Sequence, residues 1–478
     1  MRAYVKQKRL LASASAALLT GLLPSPVTLA DDKVYGSFPV TVKGYAGKKK
    51  TSVSYTGQIA RQVLHDSLKK LAGKGNGKPN AALKAQMMSY YASSDAGRAI
   101  IAPKTKGPFV IKQTTVDEIS KKKNLGGKTY KGVVTGMPGG KTGKELVEFW
   151  IDKAATAPKG VDMKNGYHYP QLISKFILGA VMYNQAVDNY LDELLSADKK
   201  PNDKPYKDGA AYTGKEHIWD EAFGYFGAPT YTLKLKPADV VAIAQQKPEA
   251  MRLADVNGDG KIDLNTEMTF GPAYYAAGFD ASSKGKTTYL HTITQAFLDG
   301  RKLITSAKGE KLTDAQRAKL KEYAAVIADN WQAVLAETVY KYAGSVYKDM
   351  TKLKTIIEAN GDTSKVFKDY VKHWSELKGF SLALQTGKEN LGETTTALNR
   401  LIGIGPQMLD ETKVVFIDRN GDYLRDQSMT WGDYMVRMAR VQNLMAENFG
   451  VKARNNAISG DIAELAAQLG ASNSAETD

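Results

Sequence analysis

Asp255, Asn257, Asp259 and Asp263 put side-chain oxygens at positions 1, 3, 5 and 9 of a short loop, with Gly260 at position 6 and Ile262 at position 8. Ca2+ is held by oxygens at this spacing; the glycine permits the tight turn, and position 7, here Lys261, offers its backbone carbonyl. The pattern departs at its end. Position 12 is Thr266, and the acid expected to bind through both oxygens, Glu267, follows one residue later. A partial echo in Asp418, Asn420, Asp422 and Asp426 lacks the glycine at position 6 and has Met429 at position 12. Ca2+ is therefore expected at the first loop, and the second is a candidate for it. The same residues also build Asx turns that need no ion.

Histidine supplies the other candidate donors. The chain has five, and two stand in like contexts: His217 precedes Trp219, Asp220 and Glu221, and His373 precedes Trp374 and Glu376. An acid three residues after a histidine lies on the same helix face. Two such pairs on facing helices would give four nitrogen and oxygen ligands in a bundle core. That set suits iron or zinc better than copper(I), which prefers sulfur. The competing account is a packed histidine with one hydrogen bond. Other mechanisms lack their residues: there is no G-x-S-x-G, no phosphate-binding glycine loop and no H-E-x-x-H.

These residues are positioned by helices. Apolar residues recur at three and four positions from Gln58 to Leu71, Lys144 to Ala155, Pro170 to Leu195, Thr288 to Ile304, Thr313 to Ile357, Lys365 to Gln385, Thr430 to Phe449 and Gly460 to Leu469. Pro170 and Pro237 fit first turns, and Asp314 beside Thr313 marks another start. The stretch from Thr313 is long enough that Gly344 is the expected interruption. Tyr183, Gln185, Asp188 and Glu337 interrupt apolar helices with polar groups that need partners if buried. Strands are expected only at Val34 to Val42, Thr230 to Leu235 and Val414 to Ile417. The fold class is mainly α, with two packed helical bundles, about residues 31–235 and 236–470, long loops and a few short strands.

The ends bound the compartment. Arg2, Lys6, Lys8 and Arg9 precede an apolar run from Leu10 to Leu23, and Thr28 and Ala30 are small residues before Asp31. That is the pattern of a signal peptide over residues 1–30, and the run is short of the roughly 20 residues that span a bilayer. An exported protein of the periplasm, cell surface or medium is expected, not transmembrane after cleavage, with a flexible tail over residues 471–478. Cleavage lowers the formal net charge from +16 to +12. Basic balance favours polyanions, but the lysine runs at 48–50, 121–123 and 199–200 lie in polar stretches without a nucleic-acid-binding motif, so nucleic acid is not expected as a partner. The absence of cysteine leaves neither a lipid attachment site nor a disulfide framework.

Several segments resemble a family of bacterial envelope proteins built on a domain of unknown function: Tyr55-Thr-Gly57-Gln58-Ile-Ala-Arg61, Tyr169 to Ala180, Gly214-Lys-Glu-His217, and His373-Trp374-Ser-Glu376-Leu-Lys-Gly379-Phe380. More distantly, Gly214-x-x-His217-x-x-Asp220 is similar to the G-x-H-x-x-E motif of imelysins, helical envelope proteins associated with iron acquisition; the spacing is one longer here and the acid is Asp. The resemblance implies a two-bundle helical fold and an iron-linked role, with a metal ion or small metal complex as ligand and an envelope uptake system as partner. Two alternatives stay open: a metal-dependent hydrolase or peptidase with Glu221 as general base, and a structural surface protein whose only ligand is calcium.

Overall fold

The computed structural model describes residues 32–105, 107–196, 199–387, 391–427 and 429–471. The expected signal peptide, and all of the expected tail but Ala471, lie outside these residues. The described chain is mainly α. In order it forms α1 (Thr56–Ala72), α2 (Ala81–Tyr91), α3 (Val116–Ile119), α4 (Gly143–Thr156), α5 (Tyr169–Ile177), α6 (Gly214–Phe226), α7 (Pro237–Ala244), α8 (Pro248–Ala254), α9 (Gly271–Ser282), α10 (Tyr289–Ser306), α11 (Asp314–Glu358), α12 (Ser364–Leu384), α13 (Gly392–Ile402), α14 (Trp431–Phe449) and α15 (Ile462–Leu469). The short strands are β1 (Val110–Ile111), β2 (Val161–Asp162), β3 (Tyr167–His168), β4 (Lys261–Ile262), β5 (Lys413–Ile417) and β6 (Tyr423–Asp426). β1 pairs in parallel with β4, while β2–β3 and β5–β6 are antiparallel.

Helix starts are set by local chemistry. Thr142, Thr213, Thr313 and Thr430 cap α4, α6, α11 and α14, each in a reciprocal box with the residue three positions on, which satisfies two end donors at once. Prolines occupy the first turn of α5, α7, α8 and α9.

One connected apolar cluster runs from Tyr35 to Ala453. It holds Trp150, Trp219, Trp331 and Trp374, all within 2 % of full burial. α12 packs on α5 and α10 on α6, so helices from both sides of residue 235 contribute to it.

Three expectations change. α11 runs unbroken through Gly344, whose missing side chain instead lets the carbonyl of Asn456 approach; a Cβ there would stand 1.8 Å from that oxygen. The helix from Pro170 continues past α5 as a π-helix over Leu178–Tyr190. Of the expected strands only Val414 to Ile417 forms, inside β5; Val34 to Val42 belongs to no strand, and Thr232–Lys234 is a 3-10 turn.

Candidate functional site

His217 lies on α6, whose first residue, Gly214, is pressed against the backbone of Lys200; a Cβ would come within 2.5 Å of it. The helix then splits its polar residues between two faces. Glu216 and Asp220 turn inward to Arg301 of α10, which donates from Nε to Asp220 at 2.9 Å and from a terminal nitrogen to Glu216 at 3.1 Å, all three side chains fully buried. Tyr35 donates its hydroxyl to Asp220 at 2.7 Å and Ser54 its amide at 3.0 Å. Burial raises the Asp220 carboxyl to about 6 against the pull of Arg301. Asp220 thus anchors the N-terminal segment and does not face His217.

The acid beside His217 is Glu221, with 3.6 Å between Nε2 and Oε1. Glu221 accepts a hydrogen bond from Gln58 of α1 at 2.7 Å, and the Tyr190 hydroxyl from the π-helix is also bonded to it. Gly224 lets α1 come this close, since a Cβ would meet Gln58 at 2.8 Å. Tyr212 stacks on the imidazole at 4.5 Å and Tyr206 meets it edge-on at 4.2 Å. Burial holds the His217 pKa below its ordinary value although Glu221 pulls upward. The ring is therefore neutral at neutral pH, with Nε2 toward Glu221, Nδ1 buried and the backbone of Ser54 bonded to the ring. Lys123 and Lys207 lie near Glu221 or one another, whereas Arg61 is buried and donates to the carbonyls of Asn124 and Gly57.

His373, on α12, is held elsewhere. Its Nδ1 bonds Asp349 of α11 at 2.6 Å, and Tyr342 lies 6.2 Å away ring to ring. Glu376 faces Lys175 of α5 at 3.6 Å. None of these contacts is shared with His217, so the two histidine and acid pairs are brought to different neighbours. Among the described residues no three His, Asp or Glu side chains are gathered as a metal-binding group.

In the Asp255 loop, Asp255 accepts from the amides of Asp259 and Gly260, Asn257 from Asp259, and Asp259 from Lys261. These bonds fold the loop and leave each carboxylate with unused lone pairs. Asp263 is engaged by the Lys112 ammonium at 2.9 Å and by Gln113 at 2.8 Å, and Glu267 accepts from the Asp263 amide at 2.7 Å. The second loop is the β5–β6 turn, in which Asp418 caps the amides of Asn420 and Asp422. Asp426 ends β6, four residues and about 13 Å beyond Asp422 along an extended strand.

Sequence reasoning missed Arg301, Gln58 and Tyr190 as partners, and the lysines Lys69, Lys175 and Lys341. Lys175 gave a usable signal, a charge inside the apolar run Leu172 to Ile177.

The fold and this site define a helical protein with a largely buried histidine and carboxylate pair on α6. Residues 156–240, which carry His217 and Glu221, match the family model described as Domain of unknown function (DUF4856). No curated protein and no solved structure gives a significant match. No helix of the described residues is long and apolar enough to cross a membrane.

Proposed function

We propose that the chain is an exported envelope protein that binds a metal in complexed form at His217 and Glu221, in the service of iron acquisition, with calcium as a structural ion at the Asp255 loop. The observation that carries this is the pairing of one neutral imidazole with one carboxylate near Lys123 and Lys207. Two protein donors are too few for a bare transition ion, which takes four or more ligands, so the remaining ones come with the ligand. A chelator that supplies them brings negative charge, and Lys123 and Lys207 complement it. The distant imelysin likeness around Gly214 and His217 points the same way.

The test is calorimetric titration of the full mature chain with ferric nitrilotriacetate, whose chelator carries no hydroxyl. Saturable binding is expected, weakened at least tenfold by His217→Ala and by Glu221→Gln with the melting temperature preserved, because each change removes one of two protein donors. Equal binding by both variants, or no binding of any ferric chelate tried, would sink the proposal. Export is tested separately by N-terminal sequencing of envelope protein, which is expected to begin at Asp31; intact residues 1–30 in the cytosol would contradict it.

A further inference from the structure

A cavity of about 560 Å3 opens where α1, α5, α9, α11 and α12 meet. Four of these helices each point one lysine at it: Lys69, Lys175, Lys341 and Lys372. Only two carboxylates, Asp66 and Glu376, share the wall. Asp66 lies 3.2 Å from the His65 ring, and Glu376 reaches Lys175 only at 3.6 Å. Lys69, Lys341 and Lys372 form no ion pair among the described residues. Lys175 is 4 % exposed and the other three lie at least partly shielded from water. The charge of Lys175 holds the Lys69 ammonium below its ordinary range, and burial does so for Lys341. Cations crowded in this way are stable together when a counter-charge joins them.

A second observation is independent of charge. The hydroxyl of Thr269, 2 % exposed, and the side-chain oxygen of Gln171, 8 % exposed, line the same cavity and have no hydrogen-bond partner in the protein. Buried polar atoms are rarely left so, and their usual explanation is a partner that arrives with a ligand. Thr269 offers a donor to an oxyanion, whereas the Gln171 oxygen needs a hydroxyl.

We propose that this cavity binds a small, multiply charged oxyanion that also carries a hydroxyl: hydrogen phosphate or a hydroxy-polycarboxylate. The four ammoniums meet its negative oxygens, Thr269 donates to one of them, and Gln171 accepts from its hydroxyl. The site is separate from His217, whose ring packs against Tyr206 and Tyr212 and faces Glu221 of its own helix.

Calorimetry on the full mature chain tests this, with metal-free inorganic phosphate and metal-free citrate as the two probes in a low-salt buffer without other oxyanions. Saturable binding of one equivalent of at least one probe is expected, and the stronger of the two identifies the anion's source. Lys69→Gln and Lys341→Gln should each weaken it about tenfold or more, since each removes a charge-assisted hydrogen bond. Thr269→Val should weaken it severalfold, and His217→Ala should leave it unchanged. If Lys341→Gln fails to fold, Lys372→Gln at a half-buried position repeats the test. Absence of binding by both probes, or binding that survives the lysine changes, overturns the proposal.

Discussion

Lys378 shows how this chain uses lysine inside the fold. It is fully buried on α12 and donates to the carbonyls of Gly136 and Gly403, tying two loops to one helix. Burial brings its ammonium from 10.5 down to about 7, and the charge of Lys175 brings Lys69 down to about 8. In both cases the folded state holds the proton less tightly than the unfolded chain. Between these folded values and the unfolded value of 10.5 the unfolded state therefore binds more protons, and stability rises with pH. The melting temperature at constant salt is expected to climb from pH 7 to pH 9, and Lys378→Met to flatten part of that climb. A wild-type profile that falls across this window would contradict the assignment. At this scale the sequence was partly legible. His217 stood out by scarcity, and the three-residue helical spacing pointed to Asp220 as its acid. The identity of the acid that faces the ring was not legible, because Asp220 and Glu221 both suit the spacing and only the position of Arg301 decides between them.

Among elements, α11 is the one on which the last third of the chain is hung. Glu337 sits fully buried at its centre and accepts the backbone amides of Lys452 and Ala453, each at 2.6 Å, that of Arg454 at 3.2 Å and the hydroxyl of Tyr289 at 3.2 Å. One turn or two further on, Gln442 of α14 bonds the carbonyls of Tyr340 and Asn456 over Gly344. A carboxylate is what this nest of donors requires. Glu337→Gln turns an amide NH2 toward backbone N–H groups, and Glu337→Ala leaves the donors buried and unpaired. Either is expected to cost about 2–4 kcal/mol in urea unfolding, with faster amide exchange at 452–454 than elsewhere in that segment. A loss below about 0.5 kcal/mol would mean that the clamp is not formed in solution. Thr313 with Asp314 marked the start of α11, whereas α4 and α14 were readable from their apolar spacing alone. The π-helix was not, because apolar spacing marks a helix from Pro170 to Leu195 but does not tell a π turn from an α turn. Val34 to Val42 alternates like a strand, but its backbone bonds go singly to Ser52 and Thr230, with no ladder to join.

For the whole molecule, the Asp255 loop is a junction between distant parts of the chain. Its Lys261–Ile262 strand pairs with Val110–Ile111, Gln113 donates to Asp263 and accepts from Leu264, and Thr266 accepts from Thr230. Burial raises the Glu267 carboxyl, and the charges of Asp263 and Asp255 push the same way. A cation at the loop would relieve that crowding. Asp255, Asn257 and Asp259 keep spare lone pairs on their carboxylate and amide oxygens. The fit is contested at Asp263, where Lys112 already supplies a positive charge. Because the ligand positions exist together only in the folded loop, an ion held there adds stability as RT ln(1 + [L]/Kd), about 2.7 kcal/mol at a hundredfold excess over Kd. Calcium is therefore expected to raise the melting temperature and a chelator to lower it. Asp255→Ala with Asp259→Ala should abolish most of the response, and Lys112→Met should enlarge it, since removing the resident ammonium frees Asp263 to bind the ion. A calcium response that is identical in all three proteins would place the ion elsewhere, and no response in the wild type would mean that Lys112 and the loop's own amides already satisfy these oxygens.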